Sequence, residues 1–137
     1  MRHCGKCNNS GQALVETAMG IVALLAFLFG ILNMGAAIYA YNWVSFAARE
    51  GTRYAAVHGS TSPSPISSSG YSALTNLITG EAQGLTGTLT VTPTWPTDNK
   101  PGSVVKVQVQ YHFSFAMPFV TLSPITLSST SQMVISR

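Results

Sequence analysis

The cysteines and histidines are the side chains best suited to chemistry in this chain. Cys4 and Cys7 form a C-x-x-C pair with His3 directly before it. A structural zinc site needs about four protein ligands, and no second Cys or His pair follows at zinc-finger spacing. A redox C-x-x-C is expected near a βαβ pattern, which the sequence lacks. We interpret the pair as free thiols in a short polar tail and predict no metal and no cofactor.

A Ser/His/Asp triad is the second chemistry to consider. Asp98 is the only aspartate and lies in a Pro/Gly-rich turn, whereas His112 lies on the polar side of a predicted strand. The H-E-x-x-H and G-x-S-x-G motifs and a Gly-rich phosphate loop are absent. The 4 acidic residues are too dispersed for a pair of catalytic carboxylates. We predict that the protein is not an enzyme, with a hydrolase built on Asp98 and His112 as a distant alternative.

Glu16 is the remaining residue whose type and place need an explanation. It lies five residues after Gly11 in the stretch G-Q-A-L-V-E, and no charged residue occurs from Thr17 to Ala48. A carboxylate within a membrane helix is costly unless it is paired. Two interpretations are open: Glu16 pairs with a positive charge of a partner, or it lies close enough to the helix start to reach interfacial water.

The apolar stretch that contains Glu16 is predicted to be a transmembrane helix over residues 12–43. It exceeds the roughly 20 residues that a helix needs to cross a bilayer, and it is longer than the core of a cleavable secretory signal. Tyr39, Tyr41 and Trp43 lie at its C-terminal end, where an aromatic belt is expected.

Small residues recur in this helix at four-residue spacing, as Ala26/Gly30 and Ala36/Ala40, and Asn33 lies between the two pairs. This spacing permits close approach of another helix, to which an Asn side chain can also hydrogen-bond. The alternatives are that small residues are simply common in membrane helices, and that Asn33 bonds only to its own backbone.

The helix is predicted to continue over residues 44–58, since no proline or loop signal interrupts it, to a total length of about 65 Å. One side is predicted to be apolar, with Val44, Ala47, Ala48, Gly51, Tyr54, Ala55 and His58 at helical spacing. The other side is predicted to be polar, with Ser45, Arg49, Thr52 and Arg53. Glu50 and Arg53 are spaced to form an i, i+3 ion pair.

A small module is predicted to follow a Pro/Ser/Gly-rich loop at residues 59–70. Residues 71–83 indicate a short helix. Alternating apolar residues then predict strands from Leu89 to Trp95, from Val105 to Phe115 and from Ile125 to Ile135. We therefore predict an α+β fold, in which a long N-terminal helix and a short helix precede an antiparallel three-stranded meander within residues 71–137.

The composition agrees with a membrane-anchored or packed protein. Charged residues make up 8% of the 137 residues, whereas soluble domains contain about a quarter. The net charge of +3 comes from scattered basic residues rather than from a basic run. Nucleic-acid binding is not expected, because it requires a basic patch.

The N-terminal region carries a resemblance to a known family. A polar leader, residues 1–11, contains Arg2 and Lys6 and ends at Gly11, and the fifth residue of the following helix is Glu16. The stretch A-A-R-E-G-T-R-Y-A-A (47–56) follows where this helix leaves the membrane. With these features the chain resembles the TadE-like family of minor pilins or pseudopilins of tight-adherence (Flp-type) pilus systems. The first fifty or so residues carry most of the resemblance, and the C-terminal half is similar only in its pattern.

The resemblance implies cleavage between Gly11 and Gln12 by a prepilin peptidase at the bacterial inner membrane. Glu16 would then pair with the new amino terminus of a neighbouring subunit, because opposite charges attract far more strongly in a low-dielectric setting. The implied partners are this peptidase, other pilin subunits, the pilus assembly machinery and membrane lipid. The family motif at the helix exit would comprise Arg49, Glu50, Arg53 and Tyr54.

Two features depart from the family pattern. Gln12 stands where classical type IV pilins have a methylated aromatic residue, and Cys4 and Cys7 are not part of the pattern. Basic residues flank both ends of the apolar segment, so the expected cytoplasmic N-terminus and extracytoplasmic module rest on the leader. The main hypothesis is a pilus assembly subunit; the alternative is a single-pass, membrane-anchored binding module that never enters a filament.

Overall fold

The computed structural model describes residues 10–82, 84–85, 87–116 and 123–136. Its elements follow the chain in the order α1 (Ser10–Val57), α2 (Ser72–Gly80), β1 (Leu89–Thr94), β2 (Val104–Phe113) and β3 (Ile125–Val134). This order confirms the predicted α+β fold, with a long helix, a short helix and a three-stranded antiparallel sheet. The predicted leader, with Cys4 and Cys7, lies outside the described residues.

Helix α1 is continuous over 48 residues, or about 72 Å at 1.5 Å per residue. By length and composition it is able to cross a membrane, and it lies near the N-terminus. Its last carbonyl groups, which have no partner inside the helix, are satisfied from outside. His58 Nδ1 donates to Tyr54 O at 2.8 Å, and Ser136 N donates to Ala56 O at 2.9 Å.

The sheet has the order β1-β2-β3, and both pairs are antiparallel. Between β1 and β2 the chain reverses through a turn in which Gly102 has a φ of +90°, a value that favours glycine. Asp98 accepts hydrogen bonds in this turn from the hydroxyl of Ser103 and from Lys100 N. The Ser103 bond, together with Lys100, lowers the pKa of Asp98 below its ordinary value.

The core lies between one face of the sheet and one side of α1, with α2 against both. The alternation predicted for β2 is observed, since the five buried side chains Val105, Val107, Val109, Tyr111 and Phe113 share the face toward the helices. Helix α2 contributes two fully buried residues four positions apart, Leu74 and Ile78. Burial of such apolar side chains is the main favourable term in folding.

The serines of β3 have a place in this packing. Ser129 and Ser131 are the partners of Val109 and Val107 and therefore lie on the buried face of the sheet. Both are partly buried, and small side chains here allow α1 to approach β3 closely. Ile125 and Met133 share that face but are 40% and 45% exposed near the two ends of this edge strand.

Candidate functional site: the long helix and its junction with the module

The first part of α1 is free of the module. Residues 11–32 are exposed on all sides except for partial cover at Gly30. These 22 residues correspond to about 33 Å of helix, which matches the roughly 30 Å hydrocarbon core of a bilayer. From Asn33 onward, one side of the helix is buried against the rest of the chain. The packing of the module thus defines a free apolar segment of membrane length.

Glu16 lies near the start of this free segment. Its side chain is exposed and borders a shallow depression lined by Gly11, Gln12, Val15 and Met19. Among the described residues nothing forms an ion pair or side-chain hydrogen bond with it. A partner for this carboxylate must therefore come from another molecule, from outside the described residues, or from water.

The peptide bond predicted to be cleaved lies in the first turn of α1. The helix begins at Ser10, so Gly11 and Gln12 are already helical, and both side-chain positions are exposed. A Cβ atom on Gly11 would meet nothing within 4 Å. Cleavage at this bond stays a prediction.

Asn33 joins the helix to the module. It is only 7% exposed. Its Oδ1 accepts a hydrogen bond from Ala116 N at 2.9 Å, and its Nδ2 donates to Ala116 O at 3.1 Å and to Phe29 O at 2.8 Å. The partner of Asn33 is therefore the segment that follows β2 as well as its own helix, which sequence reasoning did not foresee. A buried amide that would otherwise be unsatisfied is fully engaged here.

The other small residues predicted for helix packing divide into two groups. Ala26 and Ala36 are exposed, and a Cβ atom on Gly30 would meet nothing within 4 Å. Ala40 is completely buried against the chain's own module, so it is not available to another helix. Packing of a partner helix on Ala26 and Gly30 stays a prediction.

The family motif at the helix exit has an outer and an inner side. Arg49 and Arg53 are exposed, Glu50 is partly buried, and the partly buried Tyr54 stacks on His58 with ring centroids 4.0 Å apart. The predicted Glu50–Arg53 ion pair is not formed, since the salt bridge found among the described residues joins Lys100 and Asp98. Long exposed side chains gain little from such pairing in water.

On the inner side of the motif lies Gly51, which was predicted to lie on the apolar side of the helix but not to make a close contact. Gly51 is buried, and a Cβ atom there would lie 2.8 Å from Ile78 Cδ1 and 3.3 Å from Val107 Cγ1. The run of small residues at four-residue spacing, Ala47, Gly51 and Ala55, was the available signal for this close contact.

The prediction that Thr52 lies on the polar side is wrong. Its side chain is 0% exposed, and its hydroxyl donates to Ala48 O at 2.6 Å. This bond to the preceding turn satisfies the hydroxyl within the helix, so the residue can be buried without another partner. The module therefore covers a wider sector of α1 than the apolar stripe alone indicated.

The alternative of a hydrolase is not supported by the geometry. Asp98 bonds to Ser103 directly before β2, whereas His112 is the ninth residue of β2 and bonds to Thr126. At about 3.4 Å per residue, the strand separates Asp98 and His112 by roughly 30 Å. The two side chains cannot act on one substrate group.

Comparison with known proteins gives one match. Residues 11–53 match the family model described as TadE-like protein, which confirms the resemblance found in the N-terminal region. The match covers the free segment of α1, the Asn33 junction and most of the helix-exit motif. Neither the curated proteins nor the solved structures give a match. The family is a structural one associated with Tad pili, so the match indicates a pilus-associated protein and favours the non-enzymatic interpretation.

Proposed function

We propose that this chain, whose residues 11–53 match the TadE-like family, is a minor pilin or pseudopilin that acts in the assembly of a tight-adherence, Flp-type pilus. The observation that carries the proposal is that one helix combines two features. The family match begins at Gly11, and the segment that follows is apolar, unpacked and of membrane length.

The free segment supplies the anchor. Residues 11–32 expose large apolar side chains around the whole helix, and in water this surface would be highly unfavourable. Lipid covers it before assembly, and neighbouring apolar helices cover it in the assembly. Contact of α1 with the module begins at Asn33, so the module lies on the far side of the span from the leader. When the leader is in the cytoplasm, the module is outside it.

Processing prepares the N-terminus for assembly. Cleavage between Gly11 and Gln12 creates an α-amino group one helical turn from Glu16. The exposed Glu16 carboxylate accepts the amino terminus of a neighbouring subunit, because both charges leave water together and attract strongly in the low-dielectric interior. Without such a partner the carboxylate opposes deep insertion of this turn into the membrane.

The proposal is tested by determining the N-terminal residue of the protein isolated from membranes of cells that contain the cognate prepilin peptidase. We expect Gln12 as the first residue. A Gly11→Val variant is expected to stay uncleaved, whereas the matched variant Gly20→Val, nine residues farther along the helix, is expected to be cleaved normally. An intact Met1 in the presence of an active peptidase would contradict the proposal.

Removal of the gene tests the second part of the proposal. We expect loss of surface pili with normal amounts of the other subunits. Normal pili in the deletion strain would favour the alternative, a membrane-anchored binding module outside the filament. The observation that favours this alternative is the side of the sheet turned away from α1, where polar residues such as Thr92, His112 and Thr130 form an uncovered surface.

A further inference from the structure

Strand β3 forms an edge of the sheet whose outer side is unpaired within the described residues. It pairs with β2 over ten consecutive residue pairs, from Phe113↔Ile125 to Val104↔Val134, without a bulge. The backbone hydrogen bonds outside regular elements include none from residues 125–134. Within the described part of the chain, the edge therefore presents a row of unpaired donors and acceptors about 34 Å long.

The position of Pro93 shows which backbone groups lie on this edge. Pro93 is the register partner of Val107 but has no N–H, so this pair is one of the non-hydrogen-bonded pairs that alternate along an antiparallel ladder. The odd-numbered residues of β2 consequently bond to β3. It follows that the outward groups of β3 belong to the even-numbered residues, all of which are exposed: Thr126, Ser128, Thr130, Gln132 and Val134.

The two edges of the sheet differ in their protection. Strand β1 has 6 residues and includes Pro93, which removes a donor from its outer edge. Strand β3 has 10 residues with no proline and no charged side chain. Natural proteins usually protect such edges with charges, prolines, bulges or short strands, and β3 has none of these devices.

A second copy of the chain does not fit this edge in antiparallel pairing. Ala116 after β2 lies at Asn33, and Ser136 after β3 lies at Ala56, so β3 runs in the same direction as α1. Antiparallel pairing of two β3 strands requires a two-fold axis perpendicular to the sheet. This axis also reverses α1, and the two helices would then point into opposite membranes.

Parallel pairing of two copies fails for other reasons. A two-fold axis in the plane of the sheet places each outward N–H opposite the same N–H of the other copy, and these groups cannot bond. A copy that adds its β1 strand instead meets the donor missing at Pro93. The edge thus excludes a closed two-fold pair of copies and disfavours the addition of β1 from another copy.

We propose that the free edge of β3 receives an extended segment of a different extracytoplasmic subunit of the assembly, which pairs antiparallel to β3. The inference rests on the proposed function, because it uses the anchored orientation of α1. The segment is uncharged, about nine residues long, and carries apolar side chains opposite Ile125 and Met133 and small side chains between them. Such cross-strand pairs would cover the two exposed apolar residues on the α1-facing side of the strand, in the manner of known strand-addition complexes.

The variant Thr130→Pro tests the edge, because it removes an outward N–H in the middle of β3 without removing a bond to β2. Thr130→Ala is the matched control, since it removes the hydroxyl and keeps the N–H. In the deletion strain complemented with each variant, we expect loss of pili for Thr130→Pro and normal pili for Thr130→Ala. Normal pili with Thr130→Pro, in a strain where deletion abolishes them, overturns the edge inference and leaves the proposed function standing.

Amide hydrogen exchange provides a readout that does not depend on a substitution. Wild-type protein is compared in membranes with the complete machinery and in membranes with only the prepilin peptidase. We expect slower exchange of the even-numbered amides of β3 with the complete machinery and no change in the odd-numbered ones, which already bond to β2. Equal exchange in both membranes overturns the inference, as does disulfide-linked homodimer formation by a Thr130→Cys variant. If Thr130→Pro unfolds β3, the odd-numbered amides, which bond to β2, also exchange faster. This measurement therefore separates unfolding of the strand from loss of the edge contact.

Discussion

Asn33 and Ala116 are hydrogen-bonded in both directions, with the side-chain amide of one paired to the backbone N–H and C=O of the other. The two residues are 83 positions apart in the sequence, and the chain between them runs from the second half of α1 past the end of β2. The side-chain amide of Asn33 pairs with the backbone of Ala116 as a neighbouring strand would. The end of the sheet is thereby attached to α1. The pair fixes where the free membrane segment stops and the packed segment begins.

Substitution of Asn33 tests this junction. In Asn33→Leu the N–H and C=O of Ala116 lose their hydrogen bonds to the side chain, and a typical hydrogen bond contributes about 0.5–1.5 kcal/mol to stability. We expect the free energy of unfolding of the detergent-solubilised protein to fall by about this amount in urea titrations. The matched variant Asn42→Leu changes an exposed Asn of the same helix and is expected to shift it by less than about 0.5 kcal/mol. Equal effects of the two variants would contradict a role for the Ala116 bonds.

Substitution of Gly51 is expected to destabilise the fold for steric reasons. The Cβ atom of Gly51→Ala would lie 2.8 Å from Ile78 Cδ1, and such overpacking costs about 1–3 kcal/mol. At Gly35 the same change meets nothing within 4 Å, so Gly35→Ala is expected to be neutral or to stabilise the helix by up to about 1 kcal/mol. Thermal unfolding followed by circular dichroism measures both. If Gly51→Ala is as stable as Gly35→Ala, α1 and α2 can move apart without a loss of stability.

Glu16 is expected to act in assembly and not in insertion. We expect Glu16→Ala and Glu16→Gln to abolish complementation of pilus formation, because both remove the charge that would meet a neighbour's amino terminus. The amount of protein in the membrane fraction is expected to stay normal. Glu81→Ala, which removes an exposed carboxylate of the module, is the control and is expected to restore pili. Normal pili with Glu16→Ala would contradict the pairing role and support contact of Glu16 with interfacial water.

The hydrogen bonds of Asp98 are expected to stabilise the fold only while its carboxyl group is ionised. Folding lowers the pKa of Asp98 below its ordinary value of 3.8, chiefly through the Ser103 hydrogen bond. The folded protein therefore binds this proton less readily than the unfolded chain. The resulting stability is present above pH 3.8 and is lost as the pH falls through the folded-state pKa. The free energy of unfolding of Asp98→Asn, measured against pH, is expected to decline less steeply in acid than that of the wild type. Identical slopes below pH 4 would contradict the assignment.

The elements of this fold were predictable because their signals are periodic and local. The apolar run of α1, the alternation of β2 and the Pro/Ser/Gly loop each depend on neighbours in sequence. The side of α1 that carries Val44, Ala48 and Ala55 is buried as its spacing indicated. The serines of β3 gave no apolar signal, but their place between Leu127 and Met133 was sufficient to set the face of the strand.

The features that were missed depend on contacts between distant parts of the chain. Thr52 resembled the neighbouring Arg53 in polarity, and only the width of the module decides that one is buried and the other exposed. Asn33 could be identified as a polar residue in an apolar helix, but its partner Ala116 has no side chain that would mark it. The junction is made with the backbone, and sequence patterns carry little information about backbone partners.

The side-by-side arrangement of α1 and β3 has a mechanical consequence. From Asn33 to Ala56 the helix is about 35 Å long, and β3 runs beside it for about 34 Å. A force that draws the membrane segment along its axis would load this interface in shear, so that all contacts along it resist together. A force applied across the helix would instead open the contacts one after another from an end. The module therefore resists detachment from α1 when the membrane segment is pulled along its axis.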